Sequence, residues 1–270
     1  MKPFAVAIAP TGARRTKQDH PAMPVSVQEI AAEAKRCVAA GATVLHLHVR
    51  DGQGQHTLAT EAYRTATQAV RKAVGDKIIV QATTEAVGRY TPAEQMALVR
   101  ELRPEAVSIA VKEMVPEKEP QPEAATFYAW TARERIAVQH ILYSAEEAVR
   151  FRGLVARGVM GEKHPHVLFV LGRYHKSQQS EPIELLPFLA NWPADWPWSV
   201  CAFGALEARC MATACALGGH ARVGFENNFH KPDGSTAVSN ADLVANLAVM
   251  APTMGRTVAT IDEARRIYGV

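Results

Sequence analysis

"SVQEIAAEAKRCVAAGATVLHLHV", residues 26–49, predicts a helix followed directly by a strand. Ser26 with Glu29 three positions later forms a capping box, which is typical of a helix N-terminus. Gly41 is a residue type that commonly ends a helix. The run 43–49 is apolar apart from a threonine and two histidines, and such runs are typical of parallel strands with both faces covered. This stretch is therefore one helix–strand unit of an α/β protein.

The same alternation continues along the chain. The predicted strands are 4–10, 43–49, 77–83, 106–111, 136–142, 167–172, 198–204 and 221–227. The predicted helices are about 26–40, 60–74, 91–102, 122–134, 144–157, 181–190, 205–217 and 239–254, with a C-terminal helix at about 260–268. This alternation predicts an α/β fold, a (β/α)8 TIM barrel that spans residues 1–270 as a single domain. Length alone also allows two smaller domains. The main rival is a doubly wound open sheet, but "APTGARRT" (9–16) after the first strand is not a G-x-G-x-x-G fingerprint.

Composition limits the class of protein. The 270 residues are 48% hydrophobic and 21% charged, which is typical of a soluble globular protein. The net charge is only +3 and no run of lysine or arginine stands out, so nucleic acid is not an expected partner. No segment approaches the roughly 20 apolar residues of a membrane span. The four cysteines lack C-x-x-C spacing, which favours buried thiols in a reducing compartment. We therefore expect a cytoplasmic protein that acts on small molecules.

Two histidines interrupt the second predicted strand near its C-terminal end. His46 and His48 are two residues apart, so their side chains share one face of the strand. Barrel enzymes build their sites at this end of the strands, and neutral imidazole is the commonest metal ligand. The alternative is a pair of hydrogen-bonded core histidines. Glu226, near the end of the predicted eighth strand, offers a third ligand, because barrel closure places strands two and eight on either side of strand one. The alternative for Glu226 is an ion pair with Arg222 or Arg50.

Four segments in order along the chain resemble the β-keto acid cleavage enzymes, a family founded on 3-keto-5-aminohexanoate cleavage enzyme. The segments are "TGARRTKQDHPAMPVS" (11–26), "HLHVRDGQG" (46–54), "ALGGHARVGFENN" (216–228) and "GRTVATIDEAR" (255–265). The resemblance implies a zinc-bearing (β/α)8 barrel, usually a homotetramer. It also implies a reaction in which a β-keto acid and acetyl-CoA give acetoacetate and a new acyl-CoA. The family's zinc ligands fall on His46, His48 and Glu226, and its arginine beside the metal falls on Arg222.

That reaction suits these residue types. A zinc ion polarises the keto oxygen as a Lewis acid, and Arg222 can stabilise developing negative charge. Hydroxyl groups at the ends of strands three and four, on Thr83, Thr84 and Ser108, can hold intermediates. The alternative for the threonines is plain β-propensity. The initial hypothesis has a nucleophile derived from acetyl-CoA attacking the ketone.

Two positions depart from the family pattern. Asn227 stands where the family often has an aspartate that helps as a base or orients the arginine, and an asparagine cannot take up a proton at neutral pH. After strand six, "LGRYHKSQQSEP" (171–182) replaces a glycine-rich turn. Arg173, His175 and Lys176 could there bind an anion such as the phosphates of CoA, and the alternative is a solvated loop.

Arg14 and Arg15 indicate the charge of the substrate. The founding member carries a carboxylate after T-G-A, whereas this chain has two arginines, and a guanidinium favours a carboxylate partner. We therefore expect a β-keto acid with an acidic distal group, a dicarboxylate. The alternative is that both arginines face solvent or bind a CoA phosphate.

Two other functions remain open at this point. One is a metal-dependent barrel hydrolase or aldolase that needs no CoA. The other is a metabolite-binding barrel without turnover, which the asparagine at position 227 motivates. Dependence on acetyl-CoA separates the first from the proposed acyl transfer, and substrate binding without product identifies the second.

Overall fold

Eight parallel strands close into a barrel in the computed structural model of this chain, which describes residues 1–116 and 122–270. The strands are β1 (Lys2–Phe4), β2 (Val6–Ile8), β3 (Val44–Leu47), β4 (Ile79–Thr83), β5 (Ala106–Ala110), β6 (Ala137–Leu142), β7 (His166–Leu171), β8 (Trp198–Ala202), β9 (His220–Val223) and β10 (Arg256–Val258). The barrel runs from β2 to β9 in sequence order, and β9 pairs with β2 to close it. The predicted (β/α)8 barrel is confirmed, and the open-sheet alternative is excluded.

Helices lie between the strands at the predicted places. They are α1 (Val27–Ala40), α2 (Thr60–Val74), α3 (Pro92–Leu102), α4 (Val111–Met114), α5 (Pro122–Arg133), α6 (Ala145–Ala156), a 3-10 turn (Pro182–Glu184) leading into α7 (Leu185–Leu189), α8 (Glu207–Ala216), α9 (Asn240–Thr253) and α10 (Ile261–Tyr268). The capping box of Ser26 and Glu29 starts α1, and Gly41 ends it in the left-handed conformation. A second capping box, at Thr91 and Glu94, starts α3. The local signals therefore set the helix ends.

The first predicted strand, 4–10, is divided in the structure. β1 pairs with β10 in a separate two-stranded sheet, and only β2 belongs to the barrel. The strand prediction was therefore wrong in its bounds, and β10 was not predicted. Three residues are too few to show the periodicity on which strand prediction depends.

The barrel has an apolar end and a polar end. Alanine, valine and isoleucine side chains fill the interior near the N-terminal ends of the strands, where α10 packs Ala264 and Tyr268 against them. At the other end, buried polar side chains such as His46, Thr83 and Arg222 line the interior. The position of α10 closes one end of the barrel, and the other end is left for a site.

The stretch 112–125, which is rich in proline and glutamate, is partly helical. Helix α4 covers its start, α5 begins at Pro122, and residues 117–121 lie outside the described residues. All four cysteines are buried free thiols, as predicted. Within the described ranges, no helix has both the length and the apolar character needed to cross a membrane.

Candidate active site

Strands β3 and β9 bring the three predicted metal ligands together on either side of β2. Both strands pair with β2, so their C-terminal ends meet at the mouth of the barrel. His46 lies in β3, His48 follows directly after it, and Glu226 lies three residues beyond β9. The ligand atoms of these three side chains all lie within 4.8 Å of one another.

The distances between these atoms match a tetrahedral metal site. His46 Nε2 and His48 Nε2 are 3.1 Å apart, and they lie 3.8 Å and 3.5 Å from Glu226 Oε2. Zinc ligands at about 2.0–2.1 Å with tetrahedral angles lie about 3.4 Å from one another. The three atoms therefore surround a point that a zinc-sized ion fits, with one coordination position left for substrate.

An unpaired carboxylate oxygen also suits a bound cation. No described residue donates a well-formed hydrogen bond to Glu226 Oε2, although the carboxylate is largely buried. Burial, together with the positive charge of Arg222, holds the pKa of His46 well below its usual value, so this imidazole is neutral. Burial raises the pKa of Glu226, but Arg222 and the two histidines outweigh this effect and hold it well below its usual range. Neutral imidazoles and an ionised carboxylate are the forms that bind metal.

Glu226 sits in a turn and not in a strand, which corrects the predicted strand 221–227. β9 ends at Val223 because Gly224 has a φ of +140°, and a Cβ there would lie 2.3 Å from the carbonyl oxygen of Ala9. The chain then turns back, with Asn227 N donating to Gly224 O at 2.8 Å. We call residues 224–227 the metal turn. Its shape aims Glu226 across the barrel mouth at the two histidines.

Arg15 holds the metal turn from the first loop. Its guanidinium donates to the carbonyl oxygens of Phe225 at 3.1 Å and Asn227 at 3.2 Å, and it lies over the ring of Phe229. Arg15 was predicted to bind substrate, and these contacts give its guanidinium a structural role. The amide of Asn240, at the start of α9, accepts from Phe225 N at 2.8 Å. The ligand Glu226 is thus fixed from both sides.

Arg222 lies beside Glu226 and Cys201 inside the barrel. Its side chain is 5% exposed, and Nη2 reaches Cys201 Sγ at 3.3 Å and Glu226 Oε1 at 3.4 Å. Burial would lower the pKa of Arg222, but Cys201 and Glu226 together hold it above its ordinary value. Nε and Nη1 have no partner among the described residues. This permanent charge can therefore meet a substrate oxygen.

Asn227 and Arg222 both contact the sulfur of Cys201. Its Nδ2 donates to Cys201 Sγ at 2.8 Å, and its Oδ1 has no partner within the part of the chain that the structure describes. Burial raises the pKa of Cys201 to about 11, so the sulfur is a neutral thiol. Neither group is a base near neutral pH.

Two adjoining pockets lead from the surface to the metal ligands. The inner pocket, of about 310 Å³, includes Arg222 and Glu226 in its lining. The outer pocket, of about 390 Å³, is lined partly by Arg14 and Arg15. Arg173 and Glu85 line both. The exposed side chains of His175 and Lys176 lie further along the same loop as Arg173.

Glu85 is a site residue that the sequence analysis missed. Its Oε1 lies 3.9 Å from an Nη atom of Arg14 and 3.9 Å from one of Arg173, and its Oε2 lies 3.9 Å from His48 Nε2. These separations are too long for hydrogen bonds. Its position two residues after β4 could have indicated it, because barrel sites form from the loops after the strands.

The three predicted hydroxyl groups are placed differently from one another. Thr83 lines the inner pocket, and its Oγ1 accepts from Glu85 N at 3.2 Å. Thr84 is fully buried, and its hydroxyl lies 3.5 Å from the carbonyl oxygen of Ser108. Ser108 Oγ is buried without a partner among the described residues. Of the three, Thr83 is the one that faces the pocket.

Comparison with known proteins places the chain in one family. The model of the family described as beta-keto acid cleavage enzyme matches residues 3–270. A 3-keto-5-aminohexanoate cleavage enzyme of Fusobacterium nucleatum is 32% identical over 295 residues, covering 100% of this chain and 99% of its own. The 3-oxoadipate:acetyl-CoA acetyltransferase of Cupriavidus necator is 27% identical, covering 100% and 95%. The solved ternary complex of ObcA with a C4-CoA adduct and oxalate has the same fold, with a TM-score of 0.76 at 16% identity over 93% of this chain and 68% of that one. Sequence, barrel and site together make this chain a member of the β-keto acid cleavage enzyme family.

Proposed function

We propose that the chain is a zinc-dependent enzyme that cleaves a β-keto acid with acetyl-CoA, giving acetoacetate and a new acyl-CoA. The observation that carries the proposal is the convergence of His46 Nε2, His48 Nε2 and Glu226 Oε2 on one point. The names of two relatives support acetyl-CoA as the co-substrate. The relatives from Cupriavidus necator and Rhizobium meliloti are both named as acetyl-CoA-dependent transferases. When bound by these three ligands, zinc supplies a Lewis acid for the keto and carboxylate oxygens.

The carbon balance sets the order of bond changes. Acetoacetate contains the acetyl group of acetyl-CoA joined to C2 of the keto acid, so C2 loses a proton and attacks the acetyl carbonyl. The displaced CoA thiolate then attacks C3, the C2–C3 bond breaks, and C2 takes a proton back. The initial hypothesis, attack on the ketone by a nucleophile derived from acetyl-CoA, corresponds to the second of these steps. As a first step it would release acetate, so acetylation of C2 must precede it.

We assign to Glu85 the role of the base that removes the proton from C2. Among the described residues that line the inner pocket, His46 and Glu226 are the proposed metal ligands, and a guanidinium group does not serve as a base. Burial raises the pKa of Tyr143 well above its usual value, so its phenol is a poor base. Glu85 is the remaining carboxylate of that lining. Its Oε2 lies 3.9 Å from His48 Nε2, which supports a role for this carboxylate toward a keto acid bound at the metal site.

We assign to Arg222 the stabilisation of the negative charge that develops on oxygen during the reaction. Its Nε and Nη1 are buried and have no other partner in the described chain. A fixed charge in a site that excludes water stabilises an oxyanion more strongly than the same charge in water. Thr83 contributes by holding the backbone of Glu85.

Arg14 and Arg173 support an acidic distal group on the keto acid. Both line the outer pocket, and they flank Glu85 at equal distances that leave their hydrogen-bonding positions open. A distal carboxylate in the outer pocket would meet both guanidinium groups. The Cupriavidus necator relative, by its name, acts on 3-oxoadipate, which is such a dicarboxylate. The homotetramer implied by the resemblance stays a prediction.

The test is acetoacetate formation by the zinc-loaded protein from a panel of β-keto acids with dianionic, neutral and cationic distal groups. We expect turnover that requires acetyl-CoA, with 3-oxoadipate preferred. Product without acetyl-CoA would favour the hydrolase or aldolase, and binding without product would favour a metabolite-binding barrel.

Arg14→Glu tests the charge selection separately. We expect kcat/KM for the dicarboxylate to fall by about tenfold or more and that for a neutral keto acid to change little, since about 1.4 kcal/mol corresponds to tenfold. Arg266→Glu on α10, at the closed end of the barrel, makes the same change in net charge and is the control. Full activity of Arg14→Glu on dicarboxylates would contradict charge selection.

A further inference from the structure

A chain of buried polar side chains crosses the barrel interior and ends at the metal site. Gln81 in β4 lies opposite His46 in β3, and its Oε1 is 2.9 Å from His46 Nδ1. Its Nε2 is 3.2 Å from Oε1 of Gln139 in β6. Nε2 of Gln139 in turn lies 3.2 Å from His166 Nε2 and 3.5 Å from Ser199 Oγ. All these side chains are at most 4% exposed.

We propose that Gln81 is a positioning residue for the metal site, because its side-chain oxygen keeps a proton on Nδ1 of His46 and so leaves Nε2 free for the metal. The inference rests on the metal site of the proposed function. An imidazole that binds metal through Nε2 must carry its proton on Nδ1, and that N–H needs an acceptor when it is buried. Gln81 Oε1 is the acceptor within hydrogen-bonding distance.

The rest of the chain supports this orientation of the Gln81 amide. A glutamine amide could present either its oxygen or its nitrogen to His46. The nitrogen is needed on the other side, where Gln139 offers an oxygen. Gln139 in turn presents its own nitrogen to Ser199 Oγ and to His166 Nε2, which accepts when the proton of His166 lies on Nδ1. With Gln139 in this orientation, reversing the Gln81 amide would place its oxygen against the oxygen of Gln139.

The two histidines therefore differ in which ring nitrogen carries the proton before metal binds. His46 Nδ1 has a partner, whereas His48 Nδ1 is buried with none among the described residues. The two Nε2 atoms are 3.1 Å apart, so without metal one of them donates to the other. Since His46 carries its proton on Nδ1, His48 must be the donor. Metal binding then requires His48, and not His46, to move its proton to the other nitrogen.

Nitrogen-15 spectra of the histidine side chains in the metal-free protein test this assignment directly. We expect the hydrogen of His46 on Nδ1 and that of His48 on Nε2, and we expect both on Nδ1 after zinc is added. In Gln81→Met, which keeps the length but removes the acceptor, His46 should show a mixture of the two forms. A wild-type His46 that carries its hydrogen on Nε2 would overturn the proposal.

Zinc affinity, measured by competition with a chromophoric chelator, is the second readout. We expect Gln81→Met to weaken binding by about 10- to 100-fold and Gln81→Glu, which retains an acceptor oxygen, to stay within about threefold of wild type. Ser199→Ala removes a hydrogen bond at the far end of the same chain and is the control; we expect it to leave zinc affinity unchanged. Equal losses in Gln81→Met and Ser199→Ala, with folding verified by circular dichroism, would show a general effect of core disruption and overturn the proposal.

Zinc binding by the wild type distinguishes a failure of the proposed function from a failure of the role of Gln81. If the wild type binds no zinc, the metal site itself is wrong. If the wild type binds zinc tightly and Gln81→Met binds it equally well, only the role of Gln81 is wrong.

Discussion

Replacing Gly12 with alanine should weaken metal binding, although residue 12 is not a ligand. The first loop passes over Glu226 at this glycine, which has a φ of +66°. A Cβ built there would lie 2.6 Å from Cγ of Glu226 and 3.0 Å from its Cβ. An ordinary contact needs at least 3.4 Å, so Glu226 Cγ must move by about 0.8 Å. Metal sites tolerate ligand displacements of only about 0.2 Å, so Glu226 should be lost as a good ligand.

Gly54→Ala is the matched control. Gly54 has a φ of +75°, close to that of Gly12, but nothing lies within 4 Å of the position of its Cβ. The left-handed conformation should cost each variant about 1–2 kcal/mol, which lowers Tm by roughly 2–8 °C in a protein of this size. Both variants should therefore show this loss of stability without metal, and Gly12→Ala should show an additional loss from the clash with Glu226.

Differential scanning calorimetry and chelator competition measure the two effects. We expect zinc affinity to fall by about tenfold or more in Gly12→Ala, comparable to the loss of a supporting contact, and to stay at the wild-type value in Gly54→Ala. Wild-type zinc affinity in Gly12→Ala, with its fold intact, would refute the reasoning that the first loop positions Glu226.

Three other perturbations test separate parts of the account. Arg222→Met should lower kcat by about 100- to 1,000-fold with zinc still bound, because the charge that meets the oxyanion is lost. Steady-state kinetics measures kcat and metal analysis measures the bound zinc. An unchanged kcat would exclude that role. Glu85→Gln should lower kcat by about 100-fold or more without raising KM for a dicarboxylate, since the base is lost while the arginines remain; a raised KM at unchanged kcat would indicate a binding role instead. Acid should destabilise the metal-free protein, because burial lowers the pKa of three histidines to about 3, namely those of His56, His140 and His220. The unfolded chain binds protons below about pH 6.5 that the native state does not, so the free energy of unfolding is at its full value above pH 6.5 and should fall by up to about 4 kcal/mol per pH unit as the pH drops toward 3. Urea titrations at pH 7 and pH 5.5 measure this difference, and equal stabilities would contradict it.

Local sequence signals predicted the barrel and its helix ends. The capping boxes at Ser26 and Thr91 act within one turn, so they are visible without knowledge of the tertiary structure. The H-x-H spacing is equally local, because alternate residues of a strand share a face. These signals were enough to place His46 and His48 at the mouth of the barrel.

Contacts between distant segments were not visible in the sequence. Arg15 was predicted to bind substrate, which stays a prediction; the contacts of its guanidinium with the carbonyl oxygens of the metal turn, 210 and 212 residues away, were not foreseen. Glu85 was missed because a carboxylate in a loop has no periodic pattern, and its meaning depends on Arg14 and Arg173 from two other loops. The end of β9 was misplaced because Gly224 stops the strand through a steric contact with Ala9, which only the folded barrel creates.

The metal site is tested most directly by anomalous diffraction at the zinc edge from crystals grown with zinc. The account predicts one peak at the barrel mouth, about 2.0–2.2 Å from Nε2 of His46, Nε2 of His48 and a carboxylate oxygen of Glu226. No peak there, or a peak bound by other side chains, would contradict it.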